Sequence, residues 1–157
     1  MLDWFEESDS HILILEYPQP CVTLDSFLKL NSNRCLDEDQ ARRFMLQAVV
    51  AAKHCMDRGI AHNDIRADNI LINTDTLQLK LIDFGCGGLI EGCDDEDVPW
   101  RGHVVPELYV AHRYALSETV LSLGNLLHRM VIGRSALEND PWFNSSRCSN
   151  GEPITRT

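Results

Sequence analysis

The chain has 157 residues and a mass of 17.8 kDa, which is one ordinary domain or a part of a larger one. Hydrophobic residues make up 44%, enough to bury a core and too many for a disordered tail. Acidic side chains outnumber basic ones 24 to 14, for a formal net charge of -10. That balance repels phosphodiester backbones and anionic lipid, so neither nucleic acid nor a membrane surface is an expected partner.

No apolar run reaches the roughly 20 residues that span a bilayer. Residues Met1 to Glu7 lack the basic-then-apolar start of a secretory signal. The six cysteines, Cys21, Cys35, Cys55, Cys86, Cys93 and Cys148, form no C-x-x-C and no zinc-finger spacing with histidine. They read as reduced thiols of an intracellular protein, with the cytoplasm as the expected location and the nucleus also open to it.

In chain order, His11 to Leu15 (HILIL) predicts a short buried strand. Glu16-Tyr17-Pro18-Gln19-Pro20 follows, and its two prolines make a stiff extended connector. A short helix is expected from about Thr23, with Leu24, Phe27 and Leu28 facing inward. Asp37 to Gln40 resembles a capping box. Ala41, Phe44, Met45, Ala48, Val49, Ala52, Cys55 and Met56 then recur at helical spacing up to a stop at Gly59. Ile70 to Ile72 and Leu77 to Leu81 predict a hairpin around the turn Asn73-Thr74-Asp75-Thr76. Cys86 to Gly102 reads as a glycine-rich, acidic loop. A second buried helix is expected over Glu118 to Ile132, with Val120, Leu123, Leu127 and Val131 inward. Asn139 to Thr157 is polar and without period.

One segment carries chemistry. His62-Asn63-Asp64-Ile65-Arg66-Ala67-Asp68-Asn69 reads H-x-D-x-x-x-x-N, and Asp83-Phe84-Gly85 follows the hairpin. Phosphoryl transfer needs a carboxylate to take the proton of an attacking hydroxyl, oxygen ligands for Mg²⁺ on the nucleotide phosphates, and a cation near the transferred group. Asp64 suits the first role, and Asn69 and Asp83 are hard oxygen donors suited to the second. Arg66 can supply the positive charge. The hairpin accounts for the spacing, because it folds Asp83 back beside Asp64 and Asn69. Taken singly, each of these residues would pass for an ordinary turn residue. Together they form one pattern.

That pattern is the signature of the eukaryotic protein kinase superfamily. More narrowly, the chain resembles the Pim serine/threonine kinases. The resemblance rests on LDWFE, LILEYPQP, AAKHCMDRGIAHND, NILI, LQLKLIDFGCGGL and SLGNLLHRMVIG, and runs from about Leu2 to Asp140. It implies a mainly α fold with a small β-hairpin, an incomplete kinase large lobe. It also implies residues 1–20 as the end of the small lobe and the hinge, 21–140 as partial large lobe, and 141–157 as an irregular tail. It carries Asp64 over as proton acceptor, and Asn69 and Asp83 as Mg²⁺ ligands. Glu16, Pro18 and Pro20 become a hinge meeting adenine, where Pro20 lacks a backbone donor, and Leu71 packs beneath the purine. ATP and Mg²⁺ are the implied cofactors, and a serine or threonine of a protein is the implied substrate.

The sequence also departs from that pattern. No glycine-rich loop precedes the hinge, and the only lysines are Lys29, Lys53 and Lys80, none in a V-A-I-K context. Val105-Pro106-Glu107 matches A-P-E at its last two positions. Asn63 stands where H-R-D has arginine, Arg66 replaces the usual lysine, and Thr119 occupies an acidic position. Cys86 to Pro106 holds no Ser, Thr or Tyr to phosphorylate, while Glu91, Asp94, Asp95, Glu96 and Asp97 crowd it with acid. The expectation is therefore a 157-residue chain with little or no activity. The alternatives are a non-catalytic module binding a partner kinase or scaffold, and a small-molecule kinase of the aminoglycoside or choline type.

Overall fold

The computed structural model describes residues 2–90 and 106–134, with side chains described for all of these but 106–113. The first element is a ribbon of β1 (Asp3–Glu6) and β2 (His11–Ile14), antiparallel with Trp4 opposite Leu13. Every residue of both strands is exposed, Trp4 at 53% and Leu13 at 56%. This corrects the buried strand expected at HILIL. The residues pair as a strand, but both faces of the ribbon are exposed among the described residues.

β3 (Cys21–Thr23) leads into α1 (Leu24–Leu30), where Thr23 caps the helix by accepting from the Ser26 N–H at 3.1 Å. Leu24 and Leu28, one turn apart, are fully buried. α2 (Glu38–Met56) begins where expected. Asp37 accepts from the Gln40 N–H at 2.8 Å, and Glu38 and Asp39 lie in the favourable first turn. Ala41, Phe44, Ala48 and Ala52 form its buried stripe, while Val49, at 41%, is exposed. The chain leaves the helix at Gly59, where φ is +69°, a backbone that glycine adopts without strain.

β4 (Ile60–Ala61), β5 (Ile70–Asn73), β6 (Leu79–Leu81) and β7 (Gly88–Leu89) follow. The expected hairpin is β5 with β6, although β6 starts two residues after Leu77, whose φ is +55°. It is not alone. β3 pairs antiparallel with β5 to make a three-stranded sheet, and β4 pairs with β7, so the described residues hold three small sheets. β7 lies inside the stretch expected to be all loop, and residues 91–102 of that stretch fall outside the described residues.

α3 (Pro106–Ile132) starts twelve residues before the expected Glu118. Its buried face is also different. Ala115, Thr119, Leu123, Leu126 and Met130 point inward, whereas Val120, Leu127 and Val131 are exposed at 60%, 41% and 44%. α3 packs on α2, whose stripe is largely alanine. Leu123, Leu126 and Met130 join the core that holds the α2 stripe, while Ala115 packs with Ala61 and Ile90.

One core joins these pieces: Leu24 and Leu28 from α1, Phe44 from α2, Ile70 and Ile72 from β5, and Leu126 and Met130 from α3. Phe27 and Phe44 meet edge to face with centroids 5.7 Å apart.

A polar tie closes the far end. Arg129 of α3 donates to Asp25 at 2.8 Å and to the Gly133 carbonyl at 2.5 Å, and Lys29 pairs with Asp25 at 2.5 Å. Burial pushes the Asp25 pKa up, but its bonds to Lys29 and Arg129 outweigh that and leave it lowered. The stabilisation this carries is complete above the unfolded value, near 3.8, and disappears as pH falls through the depressed folded value. Arg129→Met should therefore cost about 1.5–3 kcal/mol in urea denaturation at pH 7, and that cost should shrink at pH 3. Gly133 sits beside this tie with φ +80°, and an added Cβ would lie 3.0 Å from the Asn33 carbonyl oxygen and 3.2 Å from that of Arg34.

Candidate active site

The site is built on the loop between β4 and β5. His62 follows β4 and is 2% exposed. Its Nδ1 accepts from the Asp64 N–H at 3.3 Å, so Nε2 carries the proton and donates to the Ile82 carbonyl at 3.0 Å. The ring also rests on Phe84, with centroids 4.6 Å apart. One buried histidine thus joins the loop carrying Asp64 to the residue before Asp83.

Asn69 makes the second joint. It ends a 3-10 turn (Ala67–Asn69) and is 8% exposed. Its Nδ2 donates to the Asp64 carboxylate Oδ2 at 2.6 Å and to the Asp64 carbonyl at 3.0 Å. Its own carbonyl accepts from the Ile82 N–H at 2.9 Å. Asp64 and Asn69 are therefore in contact, and the backbone leading into Asp83 is bonded to Asn69. Asp83 itself has φ +63° and its Oδ1 accepts from the Gly85 N–H at 3.1 Å. Left-handed backbone is uncommon for a residue with a side chain, though aspartate and asparagine tolerate it best.

Arg66 is not free. Its Nε and Nη2 bond Asp68 at 3.0 and 2.6 Å, so its charge is spent locally while that pair holds.

The connector lies against the sheet. Lys80 of β6 pairs with Glu16 at 2.6 Å, and the Pro20 carbonyl accepts from the Thr74 N–H at 3.0 Å. The bond to Lys80 holds the Glu16 carboxyl below its usual range. Lys80 is paired across the hairpin with Leu71, which is half-buried on β5. Glu16, Lys80 and Leu71 thus form one neighbourhood, whereas Pro18 is half-buried and Pro20 exposed.

The donor set fits a magnesium ion brought in on phosphates. Asn69 uses its amide nitrogen on Asp64, which leaves its oxygen for a cation, and one carboxylate oxygen of Asp83 has no bond among the described residues. No group of three or more His, Cys, Asp or Glu among the described residues could hold a metal unaided. Mg²⁺ is commonly held by one or two protein oxygens with substrate phosphates completing the shell.

Sequence reasoning missed Gln47. Its Nε2 donates to the Leu77 carbonyl at 3.1 Å and its Oε1 accepts from the Leu79 N–H at 2.9 Å, so α2 clamps the backbone of the hairpin arm that leads to Asp83. A glutamine half-hidden on an apolar helix face was the available signal. Gln47→Leu should cost about 1–3 kcal/mol in thermal unfolding by leaving both backbone groups unpaired.

The protein kinase domain family matches residues 1–150, and the chain belongs to that family. Within it the chain is Pim-like: it is 41% identical over 143 residues to the serine/threonine-protein kinase pim-2 of Danio rerio, covering 89% of this chain and 46% of that protein. It is 30% identical over 142 residues to the serine/threonine-protein kinase prk-2 of Caenorhabditis elegans, at 89% and 32% coverage. A further 30% identity over 145 residues relates it to the serine/threonine-protein kinase PLK4 of Xenopus tropicalis, at 89% and 15%. The chain spans less than half the length of these relatives. Among the described residues, no helix is long and apolar enough to cross a membrane.

Proposed function

We propose that the chain is a large-lobe portion of a Pim-like serine/threonine protein kinase, with residues 1–20 as the end of the small lobe and the hinge, 21–140 as partial large lobe and 141–157 as a tail. Its site serves phosphoryl transfer from MgATP to a protein hydroxyl, in a cytoplasmic or nuclear setting. When bound, MgATP supplies the activated phosphoryl group. Asp64 then orients and takes the hydroxyl proton, held in place by the Asn69 amide. Asn69 and Asp83 hold the metal, and Arg66 faces the phosphate charge once released from Asp68. Glu16, Pro18, Pro20 and Leu71 line the purine end. The observation that carries this reading is Asn69 bonded at once to Asp64, at 2.6 Å, and to the Ile82 backbone that leads into Asp83, at 2.9 Å.

The 157-residue polypeptide on its own is expected not to turn over. It has three lysines, and each is in an ion pair: Lys29 with Asp25, Lys53 with Asp57 and Lys80 with Glu16. Each thus has a carboxylate partner already, and removing one preorganised charge donor costs about 10²–10³ in rate. This favours a second reading of the chain as a module that binds a partner kinase or scaffold. The matched family and the relatives named above are protein kinases, so the small-molecule kinase reading is not carried further.

Calorimetric titration with ATP, with and without Mg²⁺, separates the two. Weak binding that needs Mg²⁺ and vanishes in Asp83→Asn supports the nucleotide site. Partner binding with no nucleotide affinity supports the module. Phosphorylation of a basic serine peptide that is abolished by Asp64→Asn would refute the expected inactivity.

A further inference from the structure

Asn63 stands between the two residues that hold the site, His62 and Asp64, and it bonds elsewhere. Its backbone is left-handed, φ +60°, which turns its side chain away from the path of its neighbours. Its Nδ2 donates to the Cys86 carbonyl at 3.1 Å, across 23 residues of sequence. A Cβ built at Gly88 would lie 3.7 Å from the same Nδ2, so the amide also packs against the next turn of that segment.

The segment it holds is otherwise tightly placed. Gly87 donates to the Phe84 carbonyl at 2.8 Å, and Ile90 to the Gly59 carbonyl at 2.7 Å. Ala61 and Gly88 are paired across β4 and β7. A Cβ at Gly87 would come within 2.9 Å of the Phe84 carbonyl oxygen and 3.3 Å of that of Ala61, so only glycine fits there. The residues just after Asp83 are thus bound to the strand just before Asp64, and Asn63 adds a side-chain bond to that junction.

We propose that Asn63 is a positioning residue: its amide braces the segment after Asp83 to the loop carrying Asp64, and so sets Asp83 by an uncharged side chain that needs no covalent modification. The inference rests on the phosphoryl-transfer reading only for what Asp83 is positioned to hold. The brace itself is independent of that reading.

Two variants isolate the donor. Asn63→Gly keeps the left-handed backbone and removes the amide. Asn63→Asp keeps the shape but cannot donate at neutral pH. Amide exchange by NMR on the full 157-residue chain should rise about fivefold at Gly87 and Ile90 in both variants, the equivalent of one lost hydrogen bond, with α2 amides such as Ala48 unchanged. In titrations with ATP, both variants should lose most of the gain in affinity that Mg²⁺ confers, while affinity for metal-free ATP stays the same. Unchanged exchange at Gly87 and Ile90 overturns the brace. Faster exchange with an intact Mg²⁺ gain overturns the positioning role. A wild-type chain that binds no nucleotide in either condition sinks the phosphoryl-transfer reading and the positioning of a metal ligand with it, and the exchange result alone then decides the brace.

Discussion

His62→Ala is expected to abolish the ordered site and destabilise the chain by about 3 kcal/mol or more, summing the lost packing and two orphaned backbone groups. The ring is 2% exposed, packs on Phe84, donates to Ile82 and accepts from the Asp64 amide. Alanine removes all three contacts and leaves the Ile82 carbonyl and the Asp64 N–H unpaired. His62→Gln tests the account, since an amide can both donate and accept and should recover part of the loss. Urea denaturation gives the stability change, and the chemical shifts of Asp64 and Asp83 report whether the two segments still meet. Equal stability of His62→Ala and the wild type would show that the histidine does not join them.

Phe44→Ala is expected to cost about 3–5 kcal/mol, which for a domain of ordinary stability is a large part of the total. Phe44 is 1% exposed, belongs to the core that joins α1, α2, β5 and α3, and meets Phe27 edge to face. Phe44→Leu keeps most of the volume and should lose much less. Circular dichroism on heating reads both. The exposed apolar ribbon and the outer valines of α3 add a related expectation, self-association of the 157-residue polypeptide. A monodisperse monomer by light scattering would count against it.

α2 was legible because its signals are local: the Asp37 cap, the Ala41 to Ala52 stripe and the stop at Gly59 all lie within one helix. The hairpin was legible for the same reason. So was the meeting of the Asp64 loop with the strand before Asp83, because the hairpin length sets it. The inward face of α3 was not legible. That helix carries apolar residues on more than one face, and what lies against it, the α2 stripe on one stretch and Ala61 with Ile90 on another, decides which of them turn in. The exposure of β2 was hidden as well, since burial depends on what packs against a strand and not on its composition. Gln47, and the bond that Asn63 makes, escaped for another reason. Each acts by bonding the backbone of a residue 23 to 32 positions away, and the identity of that partner leaves no mark in its own neighbourhood.

The small sheets join stretches distant in sequence, Cys21–Thr23 with Leu71–Asn73 and Ile60–Ala61 with Gly88–Leu89. Contacts of long sequence separation form late, because loop-closure entropy must be overcome before they stabilise anything. The order of assembly then runs from the helices toward the loop that carries Asp64. On mild destabilisation the pairings of β3 with β5 and of β4 with β7 should part first, while α1 and α2 still hold together at Phe27 and Phe44.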